Sequence, residues 1–123
     1  MAQKGKTQLM IIFTAPADQV SEGDRLFAAH ADWMAKSHHK DGPLALLSYN
    51  VGKGAELANP LDPSSSSTGN TSYVLHEVYE SQAGLDDHWS MTSQWSEMGA
   101  LLAWAGKCKV TTLHGSPVIQ SLW

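Results

Sequence analysis

"SYVLHEVYESQAGLDDHW", residues 72–89, is the stretch on which the fold turns. Its first nine residues alternate between two faces: Tyr73, Leu75, Glu77 and Tyr79 on one, Val74, His76 and Val78 on the other. A period of two is the mark of a β-strand. Ser81 then has the character of a helix N-cap, with Asp86 and Asp87 close behind it. From there the spacing changes to three and four: Leu85, His88, Trp89, Thr92, Trp95, Met98 or Gly99, Leu102, ending at Gly106. The stretch is a strand that runs directly into a helix.

Working outward gives the remaining elements. "QLMIIFT", 8–14, is a short apolar run of strand length, closed by "APADQ". "SEGDRLFAAHADWMAKSHHK", 21–40, opens with Ser21 as a cap and carries Leu26, Phe27, His30, Trp33, Met34 and Ser37 at helical spacing. Gly42 and Pro43 stop it. "LALLSYNVGKG", 44–54, reads as a second strand. "KCKVTTLHGSPVIQSLW" reads as a fourth, interrupted at "GSP" and resumed to Trp123. Residues 58–71, with two prolines and a serine run, read as a flexible loop or lid. The order β-α-β-β-α-β is the ferredoxin-like arrangement, an α+β fold in which both helices cover one face of an antiparallel sheet. Residues 1–123 are read as one domain. Strands two to four are apolar on both alternations, as in Leu46 beside Leu47 and Leu113 beside Val110. The second face therefore needs cover, and another copy of the chain, forming a homodimer, is the expected one.

Composition narrows the function. Eight basic and twelve acidic residues give a net charge of −4 with no basic stripe, which speaks against nucleic acid. The apolar run Leu9 to Phe13 is too short for a signal core or a membrane span. One cysteine, Cys108, excludes an intrachain disulfide and suits a reducing compartment. A cytoplasmic protein without membrane contact is expected. No H-x-x-x-H or C-x-x-C spacing occurs among the six histidines and one cysteine, so no metal site is assigned. The adjacent His38 and His39 are explained by the dipole at a helix C-terminus. His30 and His88 are different: both fall on stripes that face the same sheet surface. Either alone is accounted for as a hydrogen-bonded core group. Together they mark a polar spot in an apolar pocket, where an imidazole suits general-base work. Glu77, if its alternation faces the helices, needs a partner such as His88, His30, Arg25 or a backbone amide; the other outcome is that it faces the dimer interface and pairs across it.

Glu77, Tyr79, Leu85, His88 and Trp95 in "YVLHEVYESQAGLDDHWSMTSQWSEM" also resemble the second half of the antibiotic biosynthesis monooxygenase-type domains. There a Glu-x-aromatic strand end precedes a helix bearing Leu-x-x-His and a later aromatic. The resemblance implies a dimeric α+β barrel with a small hydrophobic pocket in each protomer. It implies activities that range over cofactor-free oxygenation of phenolic polyketides, haem degradation, isomerisation and cyclisation. On it, Tyr79 lines the pocket and His88 is the base or anchor. The resulting expectation is a cofactor-independent enzyme acting on an aromatic or polyketide-like substrate. His88, with His30 and Glu77, would be catalytic, and Tyr79, Trp33, Trp89, Trp95 and Tyr73 would line the substrate site. The alternatives are a non-catalytic binding or accessory dimer with structural histidines, and a haem binder with an imidazole ligand.

Overall fold

The structure, a computed structural model, describes residues 2–123. Strands β1 (Thr7–Ala15), β2 (Leu46–Leu57), β3 (Ser67–Tyr79) and β4 (Lys109–Pro117) form one antiparallel sheet in the order β2-β3-β1-β4. Helix α1 (Val20–Ser37) follows β1, while α2 (Gln82–Thr92) and α3 (Met98–Ala105) follow β3. This is an α+β architecture compatible with the ferredoxin-like arrangement. Leu9, Phe13, Tyr73, Leu75, Glu77 and Tyr79 are all buried on the helix-covered face. That face holds two apolar clusters. One gathers Phe13, Leu26, Phe27, Tyr73 and Trp104; the other gathers Leu9, Tyr79 and Leu85. Glu77 falls between them along β3.

Four boundaries differ from the sequence reading, each for a physical reason. First, β3 begins at Ser67 and β2 runs to Leu57, so the expected loop at 58–71 shrinks to 58–66. The polar residues "STGNT" extend the ladder because pairing is a backbone property. Glu56 holds them further by accepting from Thr68 at 2.9 Å and Asn70 at 3.2 Å. Within the remaining turn, Asn59 and Asp62 side chains accept the backbone N–H groups of Leu61 and Ser64, the usual action of Asx turns. Second, α1 starts at Val20 after a 3-10 turn at Ala17–Gln19, so Ser21 lies inside the helix and does not cap it.

Third, the single helix expected after Ser81 breaks. Ser81 caps α2 as expected, accepting from Gly84 N. At the far end, Thr92 Oγ1 donates to the His88 carbonyl and Ser93 Oγ to the Ser90 carbonyl. Hydroxyls that take backbone carbonyls in this way loosen a helix, and no proline is required. The break turns Trp95 inward and resets the phase of α3. Leu102, expected on the buried stripe, is 61% exposed, and Trp104 is buried in its stead at 2%. Fourth, β4 ends at Pro117; Val118 still exchanges backbone hydrogen bonds with Gly5 and Lys6, but no strand continues to Trp123. No helix among the described residues is long and apolar enough to cross a membrane.

Candidate functional site

Five segments deliver polar groups to the space between the two apolar clusters. β3 supplies Glu77 and Tyr79, β2 supplies Tyr49, α1 and its C-cap supply His30 and His38, α2 supplies His88 and Thr92, and the helix break supplies Trp95. Tyr49 arrives because it pairs directly with Glu77 across the β2-β3 ladder. His38 arrives because the chain leaves helical geometry at that residue (φ −89°, ψ 151°), which aims its ring back under the helix instead of outward with His39. His39 goes to the surface and lies 3.4 Å from Asp87.

Glu77 is fully buried, and Tyr79 donates to its Oε1 at 2.5 Å. Its other oxygen, Oε2, has no hydrogen-bond partner. Burial pushes the carboxyl up to about 7, partly offset by the Tyr79 hydrogen bond. His88 Nδ1 is 3.9 Å from Glu77 Oε1 and 2.8 Å from His38 Nε2. Burial pulls His88 down to about 3, helped by the neighbouring His38. His30 is likewise pulled down to about 4 by burial, and its Nδ1 is 2.7 Å from the Tyr49 hydroxyl. All of these imidazoles are neutral at pH 7.

Hydrogen-bond bookkeeping along the chain then assigns the protons. A carbonyl only accepts, so Ser37 Oγ, 2.7 Å from the Trp33 carbonyl, directs its hydrogen there. It must accept from His38 Nδ1, 2.8 Å away. A neutral His38 with its hydrogen on Nδ1 offers a lone pair at Nε2, so the contact there requires His88 Nδ1 to donate. Neutral His88 is left with a lone pair on Nε2. Thr92 Oγ1, 3.4 Å from that atom, gives its own hydrogen to the His88 carbonyl. Among the described residues the Nε2 lone pair receives no hydrogen.

His88 also forms part of the wall of an apolar cavity of about 220 Å³ between β1, β4 and the two later helices. Leu9, Ile11, Leu75, Leu101 and Val110 are among the residues of the remaining wall. Trp89 stands at its flank, 36% exposed, and donates from Nε1 to His114 Nε2 at 2.6 Å. Of the five residues expected to line a substrate site, only Trp89 is on this wall. Trp33 and Trp95 stack on each other at 5.5 Å and pack against the imidazoles from outside, Trp95 edge-on to His30 at 5.2 Å and Trp33 edge-on to His38 at the same distance. Tyr79 lies under His88 with its hydroxyl turned to Glu77. Tyr73 belongs to the other end of the sheet, where it donates to Asp24 Oδ1 at 2.7 Å and packs with Phe27 and Trp104. His30 is bonded to Tyr49 and does not reach the cavity.

Sequence reasoning missed His38 and Tyr49. The dipole explanation for His38 overlooked that the last residue of a helix can swing its side chain inward. Tyr49 was recoverable from the hairpin, since pairing the expected strand ends Gly54 and Ser72 sets Tyr49 opposite Glu77. No group of three or more His, Cys, Asp or Glu that could hold a metal ion occurs among the described residues. The sequence finds no match among models of known protein families, and no significant match among curated proteins.

Proposed function

We propose that the protein is a cofactor-independent enzyme that takes a proton from an aromatic, polyketide-like carbon or phenol acid, with His88 as the base. The observation that carries this reading is that His88, whose Nε2 receives no hydrogen among the described residues, lines a largely apolar cavity. Such a site is complementary to a flat apolar molecule with one acidic hydrogen. An apolar cavity of roughly 150 Å³ accepts benzene, so 220 Å³ has room for a two-ring compound. The neutral imidazole would meet the hydrogen in a largely apolar surrounding. The resulting phenolate or carbanion can pass an electron to dioxygen, or rearrange. Resemblance to the antibiotic biosynthesis monooxygenase-type domains supports the first outcome, and cyclisation or isomerisation shares the same first step.

The test uses 1,4-dihydroxynaphthalene, which on deprotonation gives two electrons and two protons to dioxygen, leaving the quinone and hydrogen peroxide. The protein is expected to accelerate oxygen uptake measured at an electrode, and His88→Gln to lose about 10²–10⁴-fold of that acceleration, the usual worth of a positioned base. No acceleration by the native chain, with binding retained, would leave the second reading: a binding module whose deeply buried histidine is structural.

The reading includes a homodimer joined through the outer sheet face. Met10, Ile12 and Val74 are only half-buried there, and Leu113 is 49% exposed. Sedimentation is expected to give twice the chain mass for the native protein and the chain mass for Val74→Glu/Leu113→Glu. A native monomer at micromolar concentration would refute the assembly.

A further inference from the structure

We infer that the abstracted proton comes to rest on His38, so that the working base is the His38–His88 imidazole pair and not His88 alone. This rests on the proposed role of His88 and extends it to a residue outside the cavity. His88 is 2% exposed and borders a largely apolar cavity, a poor place for a charge even with Glu77 3.9 Å from its Nδ1. His38 is only half-buried, and with His39, Lys40 and Tyr49 it lines a second cavity of about 180 Å³ on the other side, at the end of α1.

The proton assignments above make the transfer a single concerted shift. The substrate hydrogen moves to His88 Nε2, and its bonding pair stays on the substrate. The hydrogen already on His88 Nδ1 crosses 2.8 Å to the lone pair of His38 Nε2. His88 is neutral again as the opposite tautomer, and His38, still holding its Nδ1 hydrogen against Ser37, is the cation. The groups that face this cation are of both signs. Asp87 from α2 favours it, His39 beside it on its own segment opposes it, and the edge of Trp33 and the more distant Tyr79 ring close over it. Glu77 on β3 faces the Nδ1 side of His88, 3.9 Å away, and its carboxylate form favours a positive imidazole pair. Burial lowers the basicity of His38 as well, but less of its ring is enclosed than that of His88. His38 is a positioning and proton-holding group; it does not touch the substrate.

4-Nitrophenol is the probe, because its ionised form is yellow. In the native protein the bound probe is expected to show a yellow fraction that stays constant as pH falls below the point at which the free probe ionises, since its proton stays inside the complex. In His38→Gln, which keeps an acceptor toward His88 Nδ1, the ionised fraction is expected to fall by at least about tenfold. Histidine ¹⁵N spectra of the native complex give a second readout that needs no variant: His38 should carry both ring hydrogens and His88 only one. A colourless complex with the native protein overturns the base, and this inference with it. A complex that stays yellow in a folded His38→Gln, or a doubly protonated His88 in the spectra, overturns the inference alone.

Discussion

Trp104→Ala is expected to cost about 3–5 kcal/mol and to bring the chain close to global unfolding, as read from urea denaturation followed by circular dichroism. The indole is 2% exposed and touches the rings of Phe13, Phe27 and Tyr73 at centroid distances of 5.4–5.6 Å. Its Nε1 donates to the Gln19 carbonyl at 2.9 Å, tying α3 to the turn that begins α1. The helix beneath it is cut to fit: a Cβ on Gly23 would stand 2.7 Å from Trp104 Cζ2. Alanine at 104 would leave a void ringed by aromatic groups that cannot collapse onto it and would remove the hydrogen bond to the Gln19 carbonyl. A loss below about 1.5 kcal/mol would mean that α3 is not seated as described. Trp123→Ala, at a side chain 97% exposed, is the matched control.

Glu77→Gln is expected to change the pH dependence of stability by about 3 kcal/mol. In the unfolded chain the carboxyl loses its proton near its ordinary value of 4.5, whereas in the fold it keeps the proton up to about 7. The native state therefore binds more protons across that window. The group's contribution is fully present below about pH 4.5 and is lost as pH rises through about 7. Glutamine does not titrate, so the variant gains on the native protein between pH 4 and pH 8. Whatever the amide costs at its unpaired nitrogen is the same at both ends and cancels. His30 and His88 act in the opposite sense. Their lowered values mean that stability falls as pH drops from about 6.5 toward about 4 and 3, which confines the stable range from the acid side. Parallel stability curves for the native and Glu77→Gln proteins would show that Glu77 is not held neutral by burial.

The sequence was most legible where a period is unambiguous. β1 was recoverable from the length of its apolar run, α1 from the Leu26-Phe27-His30-Met34 stripe and β3 from the Tyr73 to Tyr79 alternation, which does not itself say which face turns inward. The same periodicity misled after Thr92. A stripe continued through a hidden break put Leu102 inside and left Trp104 out, since the hydroxyl-to-carbonyl bonds that end α2 leave no proline or glycine to mark them. The paired strand at 67–71 was lost for a related reason: an edge hairpin is held by its backbone and needs no apolar residues. In the site, His88 could be named as one of several partners for Glu77, because a carboxylate facing the helices would need one. His38 could not, because its direction depends on one ψ angle at the end of a helix.

The same imidazole contacts also act as a fastening. The seam between the end of α1 and the middle of α2 is bridged by His38 to His88, with His39 to Asp87 on its outer side. A seam bolted by a shared hydrogen holds only while one ring of the pair is uncharged. In strong acid both rings carry charge and repel each other, so the two helices should part along this line while the sheet beneath is still intact. The molecule would thus open first at the candidate site, so that any substitution in the imidazole pair would also change its tolerance of acid.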